Sequence, residues 1–502
     1  MDYQLLYTQF CTHNQHSYAS AQRRLHACLR NAIQEGHLVA GTRLPSTRDL
    51  AQELGMARNT VVYAFEQLAT EGFILSNRRG SIIASIIAKV QAIAVPNLHE
   101  TSEVFAQRSL ALSRFPVAAE EAAAFAPGVP ALQDFPIALW RRLLDRTWRD
   151  LTWQSLNYAD GAGELDLRRA IAEYLRVSRA AQCDAEQVFI TEGTQHSLDI
   201  CARVFADPKD KVWMENPGYV GAHIAFQSAQ LRSIGINVDE EGIAPHPHDW
   251  TRNRPKLIYV TPSHQYPTGS VLTLERRLSL IAQAQQVGAL IIEDDYDSEF
   301  RHEGPPLVAM QGLVPDAPVI YLGTFSKTLF PALRIAYMVL PKSLCHHFSS
   351  VLLKSSLRGR TAEQLCLAEF IRGGHFATHL RRMRRLYKQR RDALIDLIQQ
   401  HLSYWVRLHG ESSGMHLSLR FLHAQMNDQA ISQQAHRLGL LVPALSSHSV
   451  GLRKHAWQGL VLGYAQVAVE SMPELIQQLA QLFETAVPKK LNSKKIQKKI
   501  RN

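Results

Sequence analysis

The sequence of 502 residues has little cysteine, contains no long apolar run and carries a charge at only 20% of its positions. Its six cysteines are scattered and form no C-x-x-C pair, which argues against a disulfide framework or a zinc site of paired thiolates. The histidines show no metal-ligand spacing, so we expect no metal. No eighteen consecutive apolar residues occur, so we expect no membrane span. Because the opening Met-Asp-Tyr-Gln is not a secretory leader, the sequence predicts a cytoplasmic protein.

Excess positive charge lies mostly at one end of the chain. The formal net charge is +10, and seven of these ten charges are Lys and Arg residues after Pro488, where no acid occurs. We interpret residues 488–502 as a solvated, disordered basic tail. The rest of the chain is then close to neutral, so DNA binding has to be argued from local patterns rather than from net charge.

Three short segments near the N-terminus predict a helix-turn-helix. Between residues 18 and 36 apolar residues recur at three- and four-residue steps, and they are Leu25, Cys28, Leu29, Ala32 and Ile33. A second helix, capped by Ser46 or Thr47, is predicted to end at Gly55, and a third is predicted to run from Arg58 to Gly72. Two helices joined by a tight turn are typical of DNA-binding proteins.

Two predicted strands, at residues 73–75 and 81–84, flank a basic turn and form a wing. The polar start of the third helix would enter the major groove, so we predict that Arg58, Asn59 and Thr60 contact base edges. Phosphate contacts are predicted for three further arginines, which are Arg48 on the preceding helix and Arg78 and Arg79 in the wing. The alternative is a small helical cap that only packs on a larger domain, and such a cap would not need a cationic helix start.

Three strings in this region carry a family resemblance. Leu-Pro-Ser-Thr-Arg-Asp-Leu-Ala at 44–51, Arg-Asn-Thr-Val at 58–61 and Gln-Leu-Ala-Thr-Glu-Gly-Phe-Ile at 67–74 resemble the winged-helix domain of the GntR transcription-factor family. The resemblance covers about residues 15–85 and implies double-stranded operator DNA as a partner. The wing tip departs from the family, because Arg-Arg-Gly-Ser-Ile at 78–82 replaces a glycine-rich run, so the wing contacts are less firmly implied than the domain.

After a predicted linker at residues 86–125, which holds one helical candidate at 104–112, helical stretches alternate with short apolar runs. The runs are residues 188–190, 211–214, 257–260, 289–292, 319–322 and 335–339. This alternation is typical of an α/β domain with a buried, mostly parallel sheet. The predicted plan is a winged helix-turn-helix domain at 1–85, rich in α-helix, and an α/β domain at 126–487.

Polar residues follow these runs, and ligands of parallel sheets bind at the carboxyl ends of the strands. Gly193 and Thr194 precede a predicted helix whose first amides can bind an anion. Tyr219 could place its ring against a flat cofactor, although a lone tyrosine is more often a packing residue. Each of these signals is weak by itself.

The strongest pattern is an ordered set of four groups. Asp294 and Tyr296 follow a buried strand, and Lys327 in Gly-Thr-Phe-Ser-Lys is followed seven residues later by Arg334. A carboxylate can pair with a pyridine nitrogen, and a phenol can donate to a ring oxygen. A lysine whose pKa is lowered by burial near a cation can form an imine. This order is that of a site for pyridoxal 5'-phosphate (PLP), which disfavours a solvated acidic turn and a surface lysine.

Ser-His-Gln-Tyr-Pro-Thr-Gly at 263–269, Glu-Asp-Asp-Tyr-Asp-Ser-Glu-Phe at 293–300 and Gly-Thr-Phe-Ser-Lys at 323–327 resemble fold type I, aspartate-aminotransferase-like PLP enzymes. The match to the MocR branch of GntR regulators is closer, since those proteins join both halves in this order. The resemblance implies that Lys327 carries PLP as a Schiff base, that Asp294 faces the pyridine nitrogen and that Tyr296 bonds the 3-oxygen. It implies that Tyr219 stacks on the ring. It also implies a domain-swapped homodimer. In this dimer the phosphate is held by Tyr158 of the partner subunit together with four residues of the same subunit, Gly193, Thr194, Thr324 and Arg334.

Two departures from the enzymes of this fold bear on chemistry. Aminotransferases of this fold carry an asparagine where this chain has Tyr266. His264 or Gln265 could replace the contact that this asparagine makes with the cofactor ring. Trp457 falls at the place of the arginine that binds the substrate carboxylate, and a planar apolar ring cannot offer a fork of donors. Arg453 lies nearby in the sequence and is a second candidate for that role.

The sequence thus predicts a PLP-dependent, DNA-binding transcriptional regulator, in which PLP at Lys327, alone or with an amino compound, controls operator binding. Gly221, two residues after Tyr219, offers no second cation. If both this cation and the carboxylate-binding arginine are absent, PLP itself is a plausible effector, and a bound amine or amino acid is its main rival. The target genes would then belong to vitamin B6 or amino-compound metabolism. The alternative is an active PLP-dependent aminotransferase with a fused DNA-binding domain, so turnover stays open. A third possibility, a relic that only dimerises the head, is disfavoured by the complete set of cofactor residues.

Overall fold

The computed structural model of the chain describes residues 1–13, 20–77, 80–84, 105–112, 123–157, 160–304, 306–355, 359–450 and 457–486. Residue contacts divide the chain into two units, Met1–Phe105 and Ala106–Asn502. Several predicted features lie outside the described residues, and they are Arg78, Arg79, Tyr158, Arg453 and the tail at 488–502. Within the described ranges, no helix combines the length and the apolar character needed to cross a bilayer.

The first unit is a helix-turn-helix followed by a hairpin, as predicted. Its elements are α1 (Tyr3–His13), α2 (Ala21–Gln34), α3 (Thr47–Glu53), α4 (Arg58–Thr70), β1 (Ile74–Asn77) and β2 (Gly80–Ile83), and the two strands pair antiparallel. Helix α1 is not predicted by the sequence, because its apolar residues do not form one clear stripe. Its start is fixed by a hydrogen bond of 2.9 Å from the Tyr3 main-chain N–H to the Glu53 carboxylate.

A small core holds these elements together. The apolar stripe predicted on α2 is buried, and it meets Leu50 of α3, Phe65 and Leu68 of α4, and Ile74 of β1. Burial of each such side chain stabilises the fold by roughly 1.5–3 kcal/mol. Because the apolar face of α4 points into this core, the polar residues at its start remain at the surface.

The second unit contains most of the chain. Its helices are α5 (Gln107–Leu112), α6 (Ile137–Asp150), α7 (Leu165–Arg179), α8 (Thr194–Phe205), α9 (Val220–Ser228), α10 (Pro247–Arg252), α11 (Leu274–Val287), α12 (Lys342–Ser355), α13 (Thr361–Arg372), α14 (His375–His401), α15 (Asp428–Arg437) and α16 (Met472–Ala486). Its strands are β3 (Val188–Thr191), β4 (Lys211–Asn216), β5 (Arg232–Asp239), β6 (Gly242–Ile243), β7 (Leu257–Val260), β8 (Leu290–Asp295), β9 (Val319–Thr324), β10 (Ala336–Val339), β11 (Val406–His409), β12 (His416–Phe421) and β13 (Gly459–Gly463).

The large sheet has the order β3-β10-β9-β8-β7-β4-β5-β6. Neighbouring strands from β9 to β5 pair in parallel, whereas β10 is antiparallel to both β9 and β3, and β6 is antiparallel to β5. The mostly parallel sheet is therefore confirmed. The predicted strands are continuously apolar because helices cover both faces of the sheet. Strand β5 is missing from the prediction, since polar residues interrupt its apolar ones.

A second sheet of β11, β12 and β13 completes the unit. The chain has already entered this unit at Ala124, which bridges to Leu440, and Phe125 is fully buried in its core. Helix α5 lies within the helical candidate at 104–112 and packs against α9. The domain bounds at 85, 125 and 487 stay predictions.

Candidate functional site

Five parallel strands bring the predicted cofactor residues to one edge of the large sheet. Strands β3, β4, β7, β8 and β9 share one direction, so their carboxyl ends lie side by side. The residues at or just after these ends are Gly193, Thr194, Tyr219, His264, Asp294, Tyr296, Thr324 and Lys327. Segments far apart in sequence therefore meet at the edge where α/β sheets bind ligands.

The Lys327 amine is held by a glycine that the sequence does not single out. Its Nζ donates to the main-chain oxygen of Gly128 at 2.7 Å. Gly128 has φ +75°, and a Cβ at this position would lie 2.8 Å from Nζ. A glycine is thus required both by the backbone conformation and by the approach of the amine. No motif around Gly128 marks it, because the two residues are 199 positions apart.

Asp294 is a buried carboxylate with one satisfied oxygen. The Tyr259 phenol donates to its Oδ2 at 2.7 Å, whereas none of the described residues donates to the buried Oδ1. Burial raises the pKa of Asp294 to about 7, although the Tyr259 hydrogen bond and the Lys327 charge lower it. A buried acceptor without a donor is rare in folded proteins. A protonated pyridine nitrogen would be a suitable donor to this oxygen.

Gly193, Thr194 and Arg334 surround a helix start. Gly193 has φ +104° and precedes α8, of which Thr194 is the first residue. A Cβ on Gly193 would lie 3.0 Å from the Arg334 guanidinium, so the arginine lies directly over this turn. Open amides at a helix start and a guanidinium both bind phosphate. Thr324, at the end of β9, is buried and accepts a hydrogen bond of 3.2 Å from the Ser326 N–H.

Tyr219 immediately precedes α9 and lies near the charged groups of Asp294 and Arg334. Burial raises its pKa to about 12, and the next influences are the charges of Asp294 and Arg334. Its ring meets Tyr266 edge-on at 6.0 Å. Gly221 faces the same ring so closely that any larger side chain would collide with it. The place where a second cation could lie is therefore filled by the Tyr219 ring.

His264 and Gln265, the two candidates to replace the missing asparagine, have different hydrogen-bond partners in the structure. Gln265 is used within its own loop, since its amide nitrogen donates to Pro217 O at 2.9 Å and its oxygen accepts from the Thr268 N–H at 3.0 Å. His264 instead meets the phenol of Tyr296, which donates to the His264 main-chain oxygen at 2.9 Å. Asp297, 3.0 Å from His264 Nδ1, is a residue that the sequence analysis missed. Its only sequence signal is its place in the run 293–300.

Trp457 is a buried packing residue. Its indole N–H donates to the Val238 main-chain oxygen at 3.0 Å, and the Arg420 guanidinium lies 4.8 Å from its ring. It packs with Leu445 and Val461. None of these partners belongs to the predicted cofactor set. The equivalence of Trp457 with a carboxylate-binding arginine stays a prediction.

The predicted DNA contacts that fall within the described residues are at the surface of the first unit or half-buried there. Arg58 and Asn59 are exposed at the start of α4, and Thr60 is half-buried beside them. Ala57 gives α4 no side-chain cap, so its first amides remain available to a phosphate. Arg48 is exposed on α3. Arg43 was not predicted, yet its guanidinium lies 3.1 Å from the Cβ position of Gly80 in the hairpin.

Family models match both units. The bacterial regulatory proteins of the gntR family match residues 21–83, and aminotransferase class I and II matches residues 134–454. The chain is 40% identical over 468 residues to the probable rhizopine catabolism regulatory protein MocR of Rhizobium meliloti, covering 92% of this chain and 93% of that protein. The chain belongs to the MocR-type GntR regulators. The resemblance drawn from the motifs is thereby confirmed.

Two further comparisons bear on this MocR-type regulator. It is 31% identical to the HTH-type pyridoxine biosynthesis transcriptional regulator PdxR of Corynebacterium glutamicum, over 90% of this chain and 93% of that protein. The solved structure of LysN, the alpha-aminoadipate aminotransferase of Thermus thermophilus complexed with N-(5'-phosphopyridoxyl)-L-leucine, covers 77% of this chain and 98% of that one. The two are 25% identical, with a TM-score of 0.66. The MocR-type regulator therefore joins a winged helix that binds operator DNA to a fold type I aminotransferase-like unit.

Proposed function

We propose that this chain is a transcriptional regulator whose operator binding is controlled by PLP at Lys327, alone or together with an amino compound. The observation that carries this proposal is the buried Oδ1 of Asp294, which lacks a donor among the described residues while Lys327 lies near enough to lower the pKa of that carboxyl. A pyridine nitrogen and an aldehyde would satisfy both groups. PLP offers the two on one ring.

The residues of the sheet edge suit PLP group by group. Gly193, Thr194 and Arg334 offer amides and a cation for the phosphate, and Thr324 offers a hydroxyl. Asp294 would hold the pyridine nitrogen in its protonated form. Bound there, PLP supplies an aldehyde that condenses with primary amines and a ring that withdraws electrons. The main-chain oxygen of Gly128 accepts a hydrogen bond from the Lys327 amine, which holds the amine in position.

We propose a domain-swapped homodimer in the cytoplasm. Large apolar side chains are exposed on the second unit just before residue 158, including Trp153 at 78% and Leu156 at 72% exposure, and Ile137 of α6 is 73% exposed. Large apolar side chains exposed in this way are typical of a protein interface when they lie together. In such a dimer Tyr158 of the partner subunit would reach the phosphate, and two heads would suit paired half-sites in operator DNA.

The relatives suggest which genes are controlled. One is named for rhizopine catabolism and another for pyridoxine biosynthesis. We propose target genes of vitamin B6 or amino-compound metabolism, with PLP or an amino compound as effector. The competing function is an active aminotransferase, since the second unit has that fold. The exposed start of α4 would serve no purpose in such an enzyme, so the regulator is the better explanation.

The test couples the two units. Operator fragments would first be selected from a random DNA library with purified protein, and their affinity measured by fluorescence anisotropy with and without PLP and then with single amino acids and amines. We expect PLP to change the affinity at least about fivefold, the lower range of allosteric coupling. An affinity that no addition changes, together with steady conversion of an amino acid to its keto acid, would support the enzyme instead.

A further inference from the structure

A buried polar cluster lies directly behind the Tyr296 phenol. The Nδ1 of His264 is 3.0 Å from Asp297 Oδ2 and 3.2 Å from the Tyr296 oxygen. His264 and Asp297 each expose only 1% of their surface. The phenol itself donates to the main-chain oxygen of His264 at 2.9 Å. One histidine thus contacts the phenol through both its ring and its backbone.

The C-terminal sheet completes this cluster. Asp297 also accepts a hydrogen bond of 3.2 Å from the Met415 N–H. Gly414 lies so close to the His264 ring that no larger residue would fit, and the His416 ring lies 4.5 Å away on the first residue of β12. The imidazole is therefore fixed in place by the segment that leads into β12.

The proton positions follow from this geometry. A neutral imidazole donates from one ring nitrogen only, and a carboxylate next to Nδ1 fixes the tautomer with the proton on Nδ1. That nitrogen cannot then accept a hydrogen bond from the Tyr296 phenol. The phenol proton is left with two acceptors, the His264 main-chain oxygen and any ligand oxygen in front of it.

We propose that Asp297 and His264 are positioning residues that direct the hydroxyl of Tyr296 at the 3-oxygen of the cofactor. This inference rests on the proposed binding of PLP. The pair never touches the reacting atoms. It acts by denying the phenol its alternative acceptor on the imidazole ring.

The pH midpoint of the visible band of PLP bound to Lys327 reports on this contact. A donor to the 3-oxygen weakens the hold of that oxygen on the imine proton, so removal of the donor raises the midpoint. The titratable groups that face the phenol are His264, Asp297, Tyr266, Asp294 and Glu215. His416 lies behind them, against the rings of His264 and Tyr266. Loss of the Asp297 charge by itself would lower the midpoint, because a nearby negative charge favours the protonated imine. Positioning and simple electrostatics therefore predict shifts of opposite sign.

The experiment is a spectrophotometric pH titration of the PLP-loaded full chain. We expect Tyr296→Phe to raise the midpoint by about one pH unit and Asp297→Asn by about half a unit, which are ordinary sizes for the loss of one hydrogen bond. The double variant should not exceed Tyr296→Phe, because both act through one bond. A lowered midpoint in Asp297→Asn, or fully additive shifts, would overturn the proposal.

Two further variants guard against a misfolded protein. His264→Asn keeps a donor near the Nδ1 position and should retain a near wild-type midpoint, whereas His264→Gln places it near the Nε2 position and should raise the midpoint. Equal effects of the two would count against the proposal.

Asp428→Asn is the matched control for Asp297→Asn, since Asp428 is a buried carboxylate that accepts hydrogen bonds from the main-chain N–H groups of Ser446 and Gly459. Its midpoint should be unchanged.

The remaining outcomes are also distinct. The ligand-type atoms of His264, Asp297 and His416 lie within 4.8 Å of one another, so the purified protein should be analysed for metals by mass spectrometry. A stoichiometric metal that Asp297→Asn loses would replace our assignment with a metal site. A wild-type protein without any visible band would refute the proposed function itself. A normal wild-type band with no shift in Asp297→Asn would refute only the positioning role.

Discussion

The two units place their functional residues in opposite ways. In the first unit Arg58 and Asn59 stand exposed at the start of α4, and the core beneath them is made of other residues. In the second unit Asp294 is buried and Tyr296 is half-buried, and they form hydrogen bonds with Tyr259 and His264. The first unit, here called the head, presents its functional residues at the surface. In the second unit the predicted cofactor residues around Asp294 and Lys327, here called the pocket, are part of the folded core.

This difference has an energetic consequence. An exposed cation is solvated before and after folding, so it costs the fold little and acts only when a phosphate or base arrives. A buried carboxylate loses its hydration, and a cofactor that supplies its counter-charge offsets that cost. Changes to the exposed DNA-contact residues of the first unit should therefore alter DNA binding without altering stability. Changes in the pocket should alter both.

The largest expected effect is that of Lys327→Ala. Without the amine, PLP cannot form a covalent link to the protein, so the visible band of the loaded protein should be lost completely. Operator affinity without PLP should stay within about twofold, since no residue of the head changes. Absorption spectra and anisotropy titrations measure the two quantities.

Lys342→Ala is the matched control for this variant, because Lys342 is an exposed lysine at the start of α12. It should keep both the band and the response to PLP. A Lys327→Ala protein that still responds to PLP in operator binding would show that the effector acts elsewhere, and the contrast between the two units would fail.

Asp294→Asn should separate stability from ligand binding. The folded pKa of about 7 lies above the usual value of 3.8, so Asp294 takes up a proton on folding between about pH 4 and pH 7. Its favourable contribution to stability is therefore lost as the pH rises through this range. At pH 8 the cofactor-free variant should therefore melt at a higher temperature than the wild type. Its affinity for PLP should fall by at least about tenfold, since a neutral amide pairs poorly with a protonated pyridine.

Thermal melts of the cofactor-free proteins at pH 5 and pH 8 test the first part, and PLP titrations test the second. The difference between variant and wild type should shrink at pH 5, where the wild-type carboxyl is already neutral. If the variant is less stable than the wild type at pH 8, the protein itself must stabilise the charged carboxylate of Asp294. The cofactor residues would then cost the fold as little stability as the exposed residues of the head.

The same contrast explains what the sequence can and cannot predict. The start of α4 and the ends of β3, β8 and β9 are local patterns, and each was predicted within a few residues. Gly128 and Asp297 were missed because their roles arise from contacts with distant segments, such as the pairing of Gly128 with Lys327 over 199 positions. Helix α1 was missed because its apolar residues lack the spacing of an amphipathic helix.

Arg58→Ala should weaken binding to the selected operator by roughly 1–3 kcal/mol if the guanidinium contacts a base edge. The visible band of bound PLP should not change. Arg48→Ala is the informative comparison, because a phosphate contact should weaken operator and random DNA alike and reduce the salt dependence. Equal losses on both DNAs for Arg58→Ala would reassign it to phosphate binding.

The smallest expected effect is that of Ser46→Ala, and it asks whether the head is energetically separate. Ser46 Oγ accepts from the Asp49 N–H at 3.2 Å and donates to the Asp49 carboxylate at 2.7 Å, which caps α3. Loss of such a cap costs about 1 kcal/mol. Calorimetry should show a lower melting temperature for the head alone, and Ser46→Thr should largely restore it. If the melting temperature of the PLP-loaded second unit falls by the same amount, the two units unfold together. The two units would then differ in function but not in stability.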